Sequence, residues 1–302
     1  MFKVVKKYCK KAFSRSGVNK FKGLFLNVVT LKIFKSFPNV MTAEQTIDFI
    51  LENNASIARF GDGEVDVMIG GGPLFQKYDA GLAKELKQAA KSEKCFVCLS
   101  PLFNRDKEKY TQEQINFWKN NVKWRAYYYK KFFPKQQYGD AYISRFYITM
   151  VNRDGCRAYA EKLKTLWDGR DIAIIEGCQS RIGMGNDLFA NTKSIKRILG
   201  PKKNAYDRIN EIHEFTKANI EKETLVILAL GPSATALAFR LANDGFQALD
   251  LGHADIEYEW MLMGVQNKVA LKNKYVNEVI GGNNVEDTTD KEYKKQILAD
   301  FS

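Results

Sequence analysis

From residue 42 onward the chain alternates between two hydrophobic patterns. Strand-length apolar runs occur at 56–60, 95–100, 141–146, 171–176, 225–230 and 248–251, each ended by glycine, proline or polar residues. Between them, apolar residues recur every three to four positions, as one face of a helix requires: Ile47, Ile50 and Leu51, then Leu82, Leu86 and Ala90 within 79–93, then Ile115, Trp118 and Val122. Further helices are expected over 154–167, 206–220 and 234–242. Thr42 with Gln45 and Thr111 with Gln114 have capping-box spacing, and Ser233 suits an N-cap. Ile172, Ala173, Ile174 and Ile175 form an unbroken apolar centre, which indicates a strand covered on both faces. The expected fold is therefore α/β, a Rossmann-like, mostly parallel sheet flanked by helices, in one domain spanning 41–302.

Charge adds a second part. The 302 residues carry a net +12, but +10 of it lies in residues 1–43, which contain no Asp or Glu. The body is almost neutral, so a nucleic-acid role is not expected. Within the 1–40 arm, Phe2, Val5, Cys9 and Phe13 alternate with lysines at helical spacing, the pattern of a basic amphipathic helix. That pattern suits either an anionic membrane surface or a helix packed by its apolar stripe. No apolar run is long enough to cross a bilayer. Five scattered cysteines do not form a disulfide framework, and Cys95 and Cys98 sit in a buried-looking strand, so a reducing cytoplasm is expected, with the arm as a peripheral contact at the inner membrane face. The basic, aromatic run 124–133 reads as core aromatics edged by lysine stems rather than a stacking surface.

Three stretches carry candidate chemistry. Arg59-Phe60-Gly61-Asp62-Gly63-Glu64 ends a strand in a turn with two carboxylates, separated by a glycine, that can share one hard cation such as Mn²⁺ or Mg²⁺; an acidic turn of this kind can equally be only solvated. Residues 176–187 leave another strand as a glycine-bearing loop. Its backbone N–H groups can form an anion nest, Arg181 can grip a diphosphate, and Asn186 and Asp187 can cap a following helix. It is neither a dinucleotide fingerprint nor a P-loop. Residues 253–259 follow a third strand and set His253, Asp255, Glu257 and Glu259 at alternate positions. Extended, all four share a face and offer a base or a further metal ligand; helical, only Asp255 and Glu259 align.

Together with Ile143-Ser144-Arg145, Leu230-Gly231-Pro232 and the stretch from Ala248 to Trp260, these segments resemble the GT-D-type bacterial glycosyltransferases, which glycosylate adhesins or build surface polysaccharide. The resemblance runs through residues 42–278. It implies transfer of a hexose from a nucleoside-diphosphate sugar, most readily a UDP-sugar, to a glycan or glycoprotein acceptor. It implies that Asp62 and Glu64 serve the metal and the nucleotide, and the glycosyl-transfer chemistry assigns donor contacts to Arg59, Gly61, Gly63, Ser180, Arg181, Gly183, Gly185, Asn186 and Asp187. Asp255 is the first candidate for the base, followed by Glu257 and His253. A non-catalytic sugar-nucleotide-binding module and a Rossmann-type enzyme of another class are the alternatives. The specific sugar, the linkage and the oligomeric state do not follow from the sequence.

Overall fold

A computed structural model describes residues 39–101 and 107–302; the basic arm, apart from its last two residues, lies outside them. The strands are β1 (Asn39–Val40), β2 (Ser56–Phe60), β3 (Cys95–Leu99), β4 (Gln137–Asp140), β5 (Asp171–Gly177), β6 (Ser194–Gly200), β7 (Leu225–Ala229), β8 (Ala248–Asp250) and β9 (Ile297–Asp300). They form one sheet in the order β1-β4-β3-β2-β8-β7-β5-β6-β9, and every pairing is parallel. The helices are α1 (Ala43–Asn53), α2 (Asp62–Met68), α3 (Ala80–Ala89), α4 (Gln112–Phe132), α5 (Cys156–Lys164), α6 (Ile209–Asn219), α7 (Pro232–Asn243), α8 (Ala254–Met263) and α9 (Lys291–Gln296). This is the expected Rossmann-like α/β architecture.

The strand side chains show why both faces are covered. Ala58, Ala173, Ile175, Val226 and Leu228 point into one core with Val65 of α2, Leu82 and Leu86 of α3, and Leu237 and Leu241 of α7. Their strand neighbours Ile57, Ile172, Ile174, Leu225 and Ile227 enter the other core with Ile47 of α1, Leu163 of α5 and Trp260 of α8. Period-two alternation between two apolar layers makes each central strand apolar throughout. The Thr42 capping box forms as expected, with both of its hydrogen bonds present, and Thr111 caps α4. The aromatic run lies largely in α4, where Tyr129, Phe132 and the following Phe133 are buried while Tyr127 is exposed. Cys95 and Cys98 are buried and unpaired.

Several local expectations change. The run 141–146 is not a strand: β4 ends at Asp140, whose carboxylate accepts the Tyr142 N–H and turns the chain into a 3₁₀ turn, Ala141–Ser144. Ser233 is not an N-cap. Gly231 holds that position at φ 56° with Pro232 in the first turn, and Ser233 is buried with its hydroxyl on Gln76. The acidic turn continues directly into α2, and no helix follows the 176–187 loop, which runs on to β6. Strands β1, β6 and β9 had no clear signal. No helix among the described residues is long and apolar enough to cross a membrane.

Candidate active site

The central strands β2, β8, β7 and β5 are neighbours and parallel, so the three chemically loaded stretches leave the same edge of the sheet. Carboxyl ends of strands at a point where the connections reverse direction are where open α/β sheets hold ligands. The chain goes outward from β2 to β4 on one side and returns between the two halves through β7 and β8.

Arg59, the penultimate residue of β2, ties this edge together. Its Nε donates to the Asp250 carbonyl at 2.6 Å, Nη2 donates to Asp250 Oδ1 at 2.9 Å and to the Gly252 carbonyl at 3.0 Å, and Nη1 donates to Ser144 Oγ at 2.6 Å. Thr235 Oγ1, at the start of α7, lies 2.9 Å from the Arg59 carbonyl and 3.0 Å from Asp250 Oδ2. Arg59 therefore fixes the ends of β2 and β8 and the turn after β4, rather than offering a free guanidinium to a donor.

Beyond it, Gly61 caps α2, and its N–H donates to Glu64 Oε2 at 2.7 Å. A Cβ on Gly61 would approach that oxygen to 3.2 Å, so glycine keeps the loop closed on its own carboxylate. Burial, then the nearby Asp250, and more weakly Asp62, push the Glu64 carboxyl up to about 7. Asp62 is half-buried and accepts no hydrogen bond from a described residue. The following carboxylate of the helix, Asp66, is instead clamped by Arg125 of α4. Among the described residues no third Asp, Glu, His or Cys joins Asp62 and Glu64 in a closed metal cage. Two crowded carboxylates, one without a partner, match the donor set of Mn²⁺ or Mg²⁺, which bind through a few protein oxygens and complete their shell with water and phosphate.

The 253–259 segment is helical from Ala254, so the helical alternative applies. Asp255 and Glu259 share a face, and Lys274 bridges them, at 2.7 Å to Asp255 Oδ2 and 2.8 Å to Glu259 Oε1. Asp255 also accepts the Gly183 N–H and the Asn186 amide. Glu257 points elsewhere: its Oε2 accepts the N–H groups of Tyr147 and Ile148, and burial holds its carboxyl above the usual range. Asp255 and Glu257, the first two candidates for the base, are both buried and engaged by the fold. His253 differs. It precedes α8 in the left-handed region at φ 80°, its side chain is 25% exposed, and it contacts Arg145 and Glu278.

The 176–187 loop is likewise filled by the protein's own acids. Glu176 accepts the Ile182 N–H and Asp255 the Gly183 N–H, so these nest amides already hold carboxylates. Arg181, expected to grip a diphosphate, is buried and donates to the carbonyls of Asn273 and Glu286. Asn186 serves Asp255, Glu259 and the Leu188 N–H, and Asp187 serves Tyr258 and Lys164. Ser180 is half-buried with no side-chain hydrogen bond to a described residue, and Gly185 is exposed. Residues 180–187 thus come to the same sheet edge, where Ser180 and Gly185 are not engaged by described side chains and Asp187 stays largely exposed. A cleft of about 200 Å³ near this loop, lined by Met184, Phe189, Arg197 and Tyr293 among others, sits toward β6, four strands from β2. Its arginine is committed to Glu176, so we place the chemistry at the β2 and β8 ends instead.

Sequence reasoning did not single out Asp250, Lys274 or Glu278, and used Arg145 only as part of a motif. Lys274 and Glu278 lie in a polar segment without periodicity, where nothing local marks them.

Comparison with known proteins fits this layout. The family described as glycosyltransferase GT-D fold matches residues 57–279. The chain belongs to the GT-D glycosyltransferase family. The probable glycosyl transferase Gly of Streptococcus gordonii is 37% identical over 267 residues, covering 87% of this GT-D chain and 39% of that protein. Glycosyltransferase GlyD of Streptococcus pneumoniae is 37% identical over 262 residues, covering 85% of this chain and 32% of its own length. The chain therefore spans well under half of these two relatives. A solved structure described as domain of unknown function 1792 with a distinct glycosyltransferase fold superposes with a TM-score of 0.87 at 38% identity, covering 92% of this chain and all of that one. A further glycosyltransferase of this domain type, from Streptococcus sanguinis, gives 0.84 at 36% identity, over 88% of this chain and all of that one.

Proposed function

We propose that this GT-D chain transfers a hexose from a nucleoside-diphosphate sugar, with UDP-sugars as the preferred donors, to a glycan or glycoprotein hydroxyl, in a reaction that depends on Mn²⁺ or Mg²⁺. The observation that carries this reading is the Asp62–Glu64 pair. It is a crowded set of carboxylates at the carboxyl end of a central strand, and no described residue pairs a cation with it. Asp62 and Glu64 would hold the metal, which when bound neutralises charge building on the leaving diphosphate.

The chain's own residues do the rest. A Cβ at Gly63 would lie 3.6 Å from the Pro73 ring, in ordinary van der Waals contact. The Ser180 hydroxyl and the Gly185 backbone are open donor contacts, while Arg59, Arg181, Gly183, Asn186 and Asp187 keep the surrounding loops in place. In direct displacement a base must take the acceptor proton, and His253 is the one of the three candidates that is not buried. The names of the two streptococcal relatives agree with glycosyl transfer.

The test is a donor-hydrolysis screen with UDP-glucose, UDP-galactose and UDP-N-acetylglucosamine, with and without Mn²⁺, on the chain and on its Asp62→Asn, Glu64→Gln double variant. Release of UDP from one donor only with metal, reduced about 10²–10³-fold in the double variant, is the expected result. Metal-dependent donor binding without turnover, even with added glycan acceptors, would favour a non-catalytic binding module. Metal-independent turnover would overturn the proposed role of the pair.

A further inference from the structure

Around His253 the structure builds more than a lone imidazole. His253 Nε2 lies 3.1 Å from Glu278 Oε1 and 3.0 Å from Arg145 Nη2, and Arg145 and Glu278 pair directly with each other. Behind them, Lys268 donates to Glu278 Oε2 at 2.6 Å. Nδ1 makes no hydrogen bond to a described residue, and the His253 side chain is 25% exposed.

The two neighbours of Nε2 demand opposite tautomers. A guanidinium only donates, so its contact is favourable if Nε2 is bare; a carboxylate only accepts, so its contact is favourable if Nε2 carries the proton. Geometry decides between them. Nη2, Oε1 and Nε2 form a tight triangle, and the two N–H bonds of one guanidinium nitrogen diverge by about 120°, too far apart for both to serve partners in that triangle. Glu278, with its negative charge, takes the arginine proton. The remaining favourable arrangement is Nε2–H donating to Glu278, which leaves the Nδ1 lone pair facing out.

We propose, resting on the reading of His253 as the base, that Glu278 is a positioning residue that holds His253 as the Nε2–H tautomer so that Nδ1 receives the acceptor proton. The acceptor oxygen bonds to the anomeric carbon, its proton moves to Nδ1, and the anomeric C–O bond breaks with its electron pair leaving on the diphosphate. Glu278 then faces the imidazolium and stabilises it, as an acid orients a histidine in hydrolytic triads. The backbone supports the same conclusion. His253 is a non-glycine residue at φ 80°, held there because the Gly252 carbonyl accepts from both Arg59 and Ser144 Oγ. Such strain persists where the surroundings over-determine a conformation, and it clusters at functional sites.

The chain contains only two histidines, His213 and His253, so long-range ¹⁵N–¹H NMR of the full chain reads the tautomer directly, with His213→Gln used for assignment. The expected result is a neutral Nε2–H ring with bare Nδ1. The charges facing the ring are Arg59 from β2, Arg145 after the 3₁₀ turn, and Glu278 with Lys268 behind it. Removing the carboxylate in Glu278→Gln should therefore lower the titration midpoint by about one pH unit or more, and Glu278→Asp should restore part of it. A ring protonated on Nδ1, or a midpoint that ignores Glu278→Gln, overturns the inference, and the tautomer measurement needs no variant at Glu278 to fold. In turnover, Glu278→Gln should lower kcat about 10²–10³-fold with donor KM little changed. If His253→Gln turns over like the parent, the base reading itself fails. If His253→Gln is inactive while the parent ring carries its proton on Nδ1, only the role of Glu278 fails.

Discussion

Residues 62–64 and 253–259 each follow the carboxyl end of a central strand, each lead into a helix, and each set carboxylates close together. The rest of the chain treats them in opposite ways. Lys274, Asn186 and the Gly183 N–H converge on Asp255, and two backbone amides converge on Glu257. Glu64 is met by local backbone N–H groups, foremost that of Gly61, and no described side chain pairs with Asp62. Acidity at a strand end therefore does not define a ligand site by itself. What separates the two regions is compensation: one group of acids is spent on holding loops together, and the other carries charge that no described cation compensates.

The largest stability effect should come from breaking the compensated region. Lys274 is 3% exposed and pairs with both Asp255 and Glu259. Lys274→Met leaves Asp255 as an unpaired buried charge, and the expected loss is about 3–5 kcal/mol of unfolding free energy, measured by urea denaturation at neutral pH. Adding Asp255→Asn should recover most of that loss, because the penalty belongs to the orphaned charge rather than to the missing lysine stem. If Lys274→Met unfolds with the parent, the compensation argument is wrong for this region.

The same contrast explains how much could be read in advance. Central strands were legible because Ile172 to Ile175 and Leu225 to Leu228 are apolar on both faces. Strand β6 was missed because it carries Lys196 and Arg197, and the arginine's partner, Glu176, belongs to a different strand. The acidic turn after β2 was visible because glycine spacing is local. Its helix was not, since Gly61-Asp62-Gly63 reads as a turn until Glu64 folds back to cap it. Alternation in 253–259 fitted two periods, and tertiary contacts chose the helical one. Arg181 looked like a phosphate ligand because its two carbonyl partners, at 273 and 286, lie about a hundred residues away. Where a charge finds its partner is long-range information that spacing does not carry.

A smaller effect sharpens the contrast within α8. Glu257 is held by amide donors, and burial raises its carboxyl pKa above the unfolded value, although Arg145 and the two amides work against the shift. Folding therefore favours the protonated form. The stabilising contribution is complete below the unfolded pKa near 4.5 and is lost as pH rises through the folded value. Glu257→Gln keeps an oxygen for the two N–H groups and never ionises. Its stability should lie within about 0.5 kcal/mol of the parent at pH 4 and exceed the parent increasingly as pH rises. A variant that becomes progressively less stable than the parent at alkaline pH would show that Glu257 is ionised and required as such.

The smallest stability effect is expected at Asp62. It has no partner among the described residues to lose, its favourable position in the first turn of α2 contributes about 0.3–1 kcal/mol, and relief of its repulsion with Glu64 works in the opposite direction. Asp62→Asn should therefore unfold within about 0.5 kcal/mol of the parent when no ligand is added. With Mn²⁺ and UDP present at about a hundred times their dissociation constant, the parent should gain about 2.7 kcal/mol by mass action. The variant should gain far less if the proposed metal role of Asp62 and Glu64 is right. Thermal shift with and without the pair of ligands measures both quantities in one experiment. An equal ligand shift in parent and variant would mean that Asp62 is only a solvated acid, and that openness to solvent does not distinguish the β2 turn from the internally paired acids of α8.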